Sequence, residues 1–159
     1  MKRRSLAAGL ALAALVVLGL AGPVAAGDQV PFKGSLDGVA KVTPRTPPFV
    51  FVNIEGEGHA THLGNFEVSI PHVANRSNGA AAGSFVFTAA NGDTLTADFI
   101  GQATPTDVPG VRSIVATATI TGGTGRFAGA TGSFFGEGLT DMVHGTFTES
   151  FDGTISTSR

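Results

Sequence analysis

The sequence predicts an all-β domain: eight antiparallel strands forming a closed up-and-down β-barrel, with a two-sheet sandwich as the alternative. Three observations lead there. Apolar residues alternate with polar ones along most of the chain, and no stretch sustains the i, i+3, i+4, i+7 spacing of a helix. Short loops rich in Gly, Pro, Asn and Asp separate the alternating runs. Eight such runs fit into the roughly 130 residues that follow an apolar leader, a size at which closure removes every exposed sheet edge.

The leader comes first. Lys2-Arg3-Arg4 precedes an apolar stretch from Leu6 to Leu20, Gly22-Pro23 breaks it, and Val24-Ala25-Ala26 supplies small residues before Gly27. A basic segment, an apolar segment and an A-x-A-like site in that order make residues 1–26 a secretory signal peptide, cleaved after Ala26. The alternative, a membrane anchor, is disfavoured because the run is short and interrupted by Gly19, Gly22 and Pro23. The Ala-rich leader points to a bacterial exporter, hence to a secreted or periplasmic protein. Residues 27–159 are then one barrel domain.

The strands follow in order. The first is expected over 32–42 and the second over 49–56, where Phe49-Val50-Phe51-Val52-Asn53-Ile54 is β-branched and aromatic. The third is expected over 59–71, with Phe66, Val68 and Ile70 alternating with Asn65, Glu67 and Ser69. Strands over 83–90 and 94–102 flank Asn91-Gly92-Asp93, a strong short hairpin signal because Asn and Gly tolerate positive φ. The sixth runs over 111–121, with Ile114, Ala116, Ala118 and Ile120 on one side. Gly122-Gly123-Thr124-Gly125 turns the chain into a seventh strand over 126–137. The eighth, over 143–155, spaces Phe147, Phe151 and Ile155 evenly. Proline-bearing stretches at Thr43–Pro48 and Ala103–Gly110 read as the longer loops. Gly58, Gly64, Gly129, Gly132 and Gly136 read as glycines inside strands, where a small barrel must bend.

Composition excludes several functions. The chain has no Cys, so a disulfide scaffold, a zinc–cysteine site and a thiol enzyme are out. Removing residues 1–26 takes three of the ten basic residues and none of the twelve acidic ones, which leaves a formal charge of −5. That charge disfavours nucleic acid and anionic membranes as partners. All 12 Phe lie in the exported part, enough for a core that must hold without disulfides.

The segment Thr121-Gly122-Gly123-Thr124-Gly125-Arg126-Phe127-Ala128-Gly129-Ala130-Thr131-Gly132 resembles the GGTG-x-F-x-x-A-x-G segment of dirigent proteins. It is similar also to the GTG-x-F-x-G segment of plant allene oxide cyclases. Gly58 to Phe66 and Phe87 to Leu95 resemble bacterial secreted relatives of the same superfamily. The resemblance implies a calycin-like, allene oxide cyclase-like eight-stranded barrel over the whole exported chain. It also implies chemistry by preorganised polar groups in the barrel: cyclisation of an epoxide in the cyclases, steered coupling of phenoxy radicals in the dirigent proteins. The cyclases' cavity cysteine has no counterpart here.

The residues themselves give four candidate ligand-binding groups. Glu149 alternates with Phe147 and Phe151, so an inward face would bury its carboxyl and make it a candidate general acid or base. Asn53 and Glu55 share a strand face with Phe49 and Phe51, and Arg112 shares one with Ile114, Ala116 and Ala118. An apolar cavity holding Glu149, Arg112, Asn53 and Glu55 would suit a small apolar or amphipathic ligand. The opposing reading leaves these polar groups at strand ends or in water. No cofactor and no metal are expected. His59 and His62 are three apart and would face opposite sides of one strand, and His72 and His144 carry no spacing signal. A glycine-rich phosphate cradle would need a helix after it, and a strand-like segment follows instead. No G-x-S-x-G is present, and Asn75-Arg76-Ser77 reads as a polar loop. Three functions therefore stand side by side: a binding barrel, an isomerase or cyclase, and a self-associating envelope protein whose outward Phe make a dimer or trimer contact.

Overall fold

The computed structural model describes residues 27–157, so the expected signal peptide at 1–26 lies outside the described residues. Eight strands follow in chain order: β1 Val30–Pro44, β2 Phe49–Ala60, β3 Gly64–Asn75, β4 Ala80–Ala89, β5 Thr94–Pro105, β6 Val111–Gly123, β7 Thr131–Asp141 and β8 Thr146–Ser156. Each pairs antiparallel with the next, and β8 pairs back onto β1 from Val30↔Ile155 to Val39↔Thr146, so the sheet is a closed barrel. The barrel, and not the sandwich, is the arrangement adopted. Closure gives every strand two hydrogen-bonded neighbours and leaves no edge to protect.

Alternation sets what faces inward. Along β8, Phe147, Glu149, Phe151 and Ile155 are buried, whereas Thr148, Ser150, Asp152 and Thr154 are exposed. The same period of two turns Val50, Val52 and Ile54 of β2 inward, and Phe66, Val68 and Ile70 of β3.

The two halves of the interior differ. One end is filled by six phenylalanines, Phe32, Phe66, Phe85, Phe87, Phe134 and Phe151, with neighbouring ring centroids 5.1 to 6.5 Å apart. Most meet tilted or edge-on, the arrangement that ring quadrupoles favour. Leu63 in the β2–β3 turn and Phe127 before β7 cap this end, 2% and 1% exposed. The Arg126 guanidinium lies 4.8 Å from the centre of the Phe127 ring and donates to the Leu63 carbonyl at 3.1 Å, tying the two caps together. The other end, under the loops that join β1–β2, β3–β4, β5–β6 and β7–β8, is open.

Four expected boundaries move. The β2–β3 turn lies at Thr61-His62-Leu63, with His62 at φ 62° and Gly64 at φ 73°, so His59 and Ala60 belong to β2. Gly58, read as a glycine inside a strand, lies within β2 and marks a close approach: a Cβ there would overlap the Ser35 carbonyl of β1. Residues 125–127 form a 3-10 turn rather than the start of a strand, and β7 begins at Thr131, so Gly129 lies outside any strand. The prolines shorten two expected loops by ending strands: Pro44 pairs with Val50 and Pro105 with Arg112 at the last rung. The Asn91-Gly92 hairpin forms, but only Gly92 takes positive φ, at 88°. Asn91 instead accepts from the Asp93 backbone N–H at 3.1 Å.

Candidate functional site

The open half of the barrel encloses a cavity of about 620 Å³. Val50, Val52 and Ile54 of β2 and Ile70 of β3 form one wall; Phe99 of β5 with Ile114 and Ala116 of β6 form the facing one. Phe85 closes it toward the phenylalanine cluster, and Phe147 lines it on the mouth side of β8. The volume is within the range of small-molecule sites, and the walls are apolar with few polar groups, the usual make-up of such sites.

Glu149 sits in this cavity. It is 4% exposed, and with Ser156 it is one of two buried polar residues among the described residues. Three strands place it: β8 turns it inward between Phe147 and Phe151, while Leu36 of β1 and Gly138 of β7 are its cross-strand partners. Gly136 makes its room, because a Cβ there would overlap the carboxylate. Oε1 of Glu149 is buried without a hydrogen-bond partner. An unpaired ionised carboxylate is costly in such surroundings, so burial pushes its pKa from 4.5 up to about 7. Near neutral pH Glu149 is thus divided between its protonated and ionised forms, and the protonated form can donate to a ligand.

Arg112 lines the same cavity at the start of β6, beside Thr140 of β7 and on the face of Ile114 and Ala116. It takes part in none of the ion pairs among the described residues. Asp141, the carboxylate near the mouth, is bonded to His144 Nδ1 at 2.7 Å, and that hydrogen bond holds its pKa below the ordinary value.

Asn53 and Glu55 do not line the cavity. Both lie on the outer wall, where Asn53 Nδ2 donates to Glu55 and Ser69 Oγ donates to Glu55 at 2.9 Å. Both faces of β2 are apolar in sequence, and the expectation took the wrong one. Val50, Val52 and Ile54 fill the inside, so Phe49 and Phe51 face outward and carry Asn53 and Glu55 with them.

His72, like Arg76 and Gln102 nearer the mouth, is a cavity residue that sequence reasoning passed over. It extends the inward series Phe66, Val68, Ile70 by one step, which was the available signal. Its Nδ1 is 2.9 Å from the Ile70 carbonyl, and its ring meets Phe99 edge-on at 5.7 Å. Burial lowers its pKa below 6.5, partly offset by the Ile70 bond. The other histidines stand apart from the cavity: His59 is exposed on β2 and His62 is in the turn at the closed end. Among the described residues no three His, Cys, Asp or Glu are grouped to hold a metal ion. No helix among them is long and apolar enough to cross a membrane.

No family model matches the chain, and no curated protein matches it. Solved structures do. The pterocarpan synthase dirigent protein PsPTS1 superposes with a TM-score of 0.59 at 11% identity, covering 84% of this chain and 98% of that one. The pterocarpan synthase dirigent protein GePTS1 superposes at 0.56 and 12% identity, covering 84% and 87%. At those identities the likeness is one of backbone, and it agrees with the glycine-turn resemblance in the sequence: the chain has the closed eight-stranded barrel fold of the dirigent proteins.

Proposed function

We propose that this protein is an exported barrel that binds a small, largely apolar molecule in the open half of its interior. The observation that carries the reading is the cavity of about 620 Å³, walled by aliphatic and aromatic side chains, with one unpartnered carboxyl inside. A core built only for stability would fill that space, as the opposite half is filled, because empty apolar volume forfeits packing energy. The charge of the exported chain and the leader support a secreted or periplasmic location with neither nucleic acid nor membrane as partner.

A second reading, an isomerase or cyclase, is favoured by the state of Glu149. A carboxyl with a pKa of about 7 in an apolar cavity has the poise of a general acid. Two structures of the same fold are named as pterocarpan synthase dirigent proteins. In this reading Glu149 protonates an oxygen of the ligand while the walls fix its conformation.

Native mass spectrometry of the exported protein, purified from its own producer and then denatured, tests the proposal. The expected result is a retained apolar molecule, absent from an Ala116→Phe variant that fills the cavity and diminished in Arg112→Ala. A protein that carries no molecule and takes up no diphenylmethane overturns it. Turnover of the released molecule, abolished by Glu149→Gln, separates the second reading from the first.

A further inference from the structure

The ligand-binding reading leaves the chemistry of the ligand open, and two side chains narrow it. Glu149 is deep in the cavity, with Phe147 between it and the β7–β8 loop. His72 lies near the mouth, two residues before Ala74 and four before Arg76 at the β3–β4 connection. We propose that the cavity selects an uncharged molecule with an apolar body and two polar ends, which accepts a hydrogen bond from the Glu149 carboxyl and donates one to His72 Nε2: a hydroxy-ketone or a compound of like pattern.

Satisfaction of polar groups carries the argument. Backbone carbonyls only accept, so the 2.9 Å contact with Ile70 fixes the His72 proton on Nδ1 and leaves Nε2 as a lone-pair acceptor. Among the described residues no other hydrogen bond to the His72 ring is present. Glu149 has a buried oxygen without a partner, a cost that a native fold carries when something supplies the missing bond. Burial favours the uncharged form of both groups, since it raises Glu149 and lowers His72. An anionic end would therefore be unmatched at the floor. One donor on β8 and one acceptor on β3 discriminate a bifunctional ligand from its singly substituted analogues more sharply than from a larger or smaller one.

This inference rests on the binding reading, and four probes of nearly equal size separate the two. Diphenylmethane has neither polar group, benzophenone has the acceptor, 4-(hydroxymethyl)diphenylmethane has the donor, and 4-(hydroxymethyl)benzophenone has both. Their affinities are measured by calorimetry at pH 6.5 on the wild type and on Glu149→Gln, Glu149→Met, His72→Gln and His72→Phe. Each polar group is expected to tighten binding about fivefold, the scale of one net hydrogen bond. The ketone gain is lost in Glu149→Met and kept in Glu149→Gln, whose amide still donates. The hydroxyl gain is lost in His72→Phe and kept in His72→Gln. Equal affinity for all four probes overturns this inference and leaves the binding reading intact. Failure of diphenylmethane to bind the wild type overturns both. Tighter binding of 4-benzoylbenzoate than of 4-(hydroxymethyl)benzophenone, lost in Arg112→Ala, overturns the uncharged class in favour of an anionic ligand held at the mouth.

Discussion

Glu149 joins the sequence to the chemistry at the scale of single residues. A carboxyl raised from 4.5 to about 7 by burial binds a proton in the folded chain that the unfolded chain has released. The stability linked to that proton is fully present below pH 4.5 and is lost as pH rises toward 7, by about 3 kcal/mol in total. Glu149→Gln is therefore expected to match the wild type near pH 4.5 and to exceed it by up to about 3 kcal/mol at pH 8 in urea denaturation. Equal stability across that span would contradict the burial of the carboxyl. His72 titrates with the opposite sign, since its lowered pKa costs stability as pH falls below 6.5, so the difference between variant and wild type isolates Glu149. Gly136→Ala is expected to cost about 1–3 kcal/mol by driving a Cβ into the carboxylate's space. The inward placement of Glu149 was legible from its alternation with Phe147 and Phe151. The outward placement of Asn53 and Glu55 was not, because β2 is apolar on both faces and period alone does not choose between them. His72 was legible as the next step after Ile70, although no metal-ligand spacing marks it.

Among the elements, the turns were harder to read than the strands. All eight strands could be located because period-two patterning survives changes in length. The β2–β3 hairpin was displaced because glycine has two uses that look alike in a sequence: positive φ at a turn, as at Gly64, and close approach between strands, as at Gly58. Gly58→Ala is accordingly expected to destabilise the barrel, whereas Gly92→Asn, in a hairpin with open space around its Cα, should change the urea midpoint little. The segment 125–130 hid a cap inside what looked like a strand. Phe127 is 1% exposed beneath the Arg126 guanidinium, so Phe127→Ala is expected to cost about 3–5 kcal/mol. A loss under 1 kcal/mol would mean that the closed end does not depend on this plug.

At the scale of the molecule, one barrel serves two ends: a phenylalanine-packed half that supplies stability and an open half that leaves room. Amides near the β2–β3 and β4–β5 turns, over the packed half, should exchange with solvent more slowly than those beside the four loops at the mouth. The outer wall carries a row running through Val73, Ile100 and Phe135 across β3 to β7, with Ile100 70% and Phe135 46% exposed. That row gives the self-association that the sequence left as one of three alternatives a surface on which to test it. Sedimentation should show an oligomer that Ile100→Lys with Phe135→Lys converts to a monomer, and a wild-type monomer would remove the idea. The central claim, a protonated carboxyl on the floor of an apolar, ligand-accepting barrel, is tested most directly by following the side-chain carboxyl carbon of Glu149 by NMR from pH 3 to pH 9, with and without benzophenone. A midpoint near 7 is predicted, moved upward when the ketone accepts a hydrogen bond from the protonated carboxyl. A midpoint near 4.5 that benzophenone leaves unchanged would contradict it.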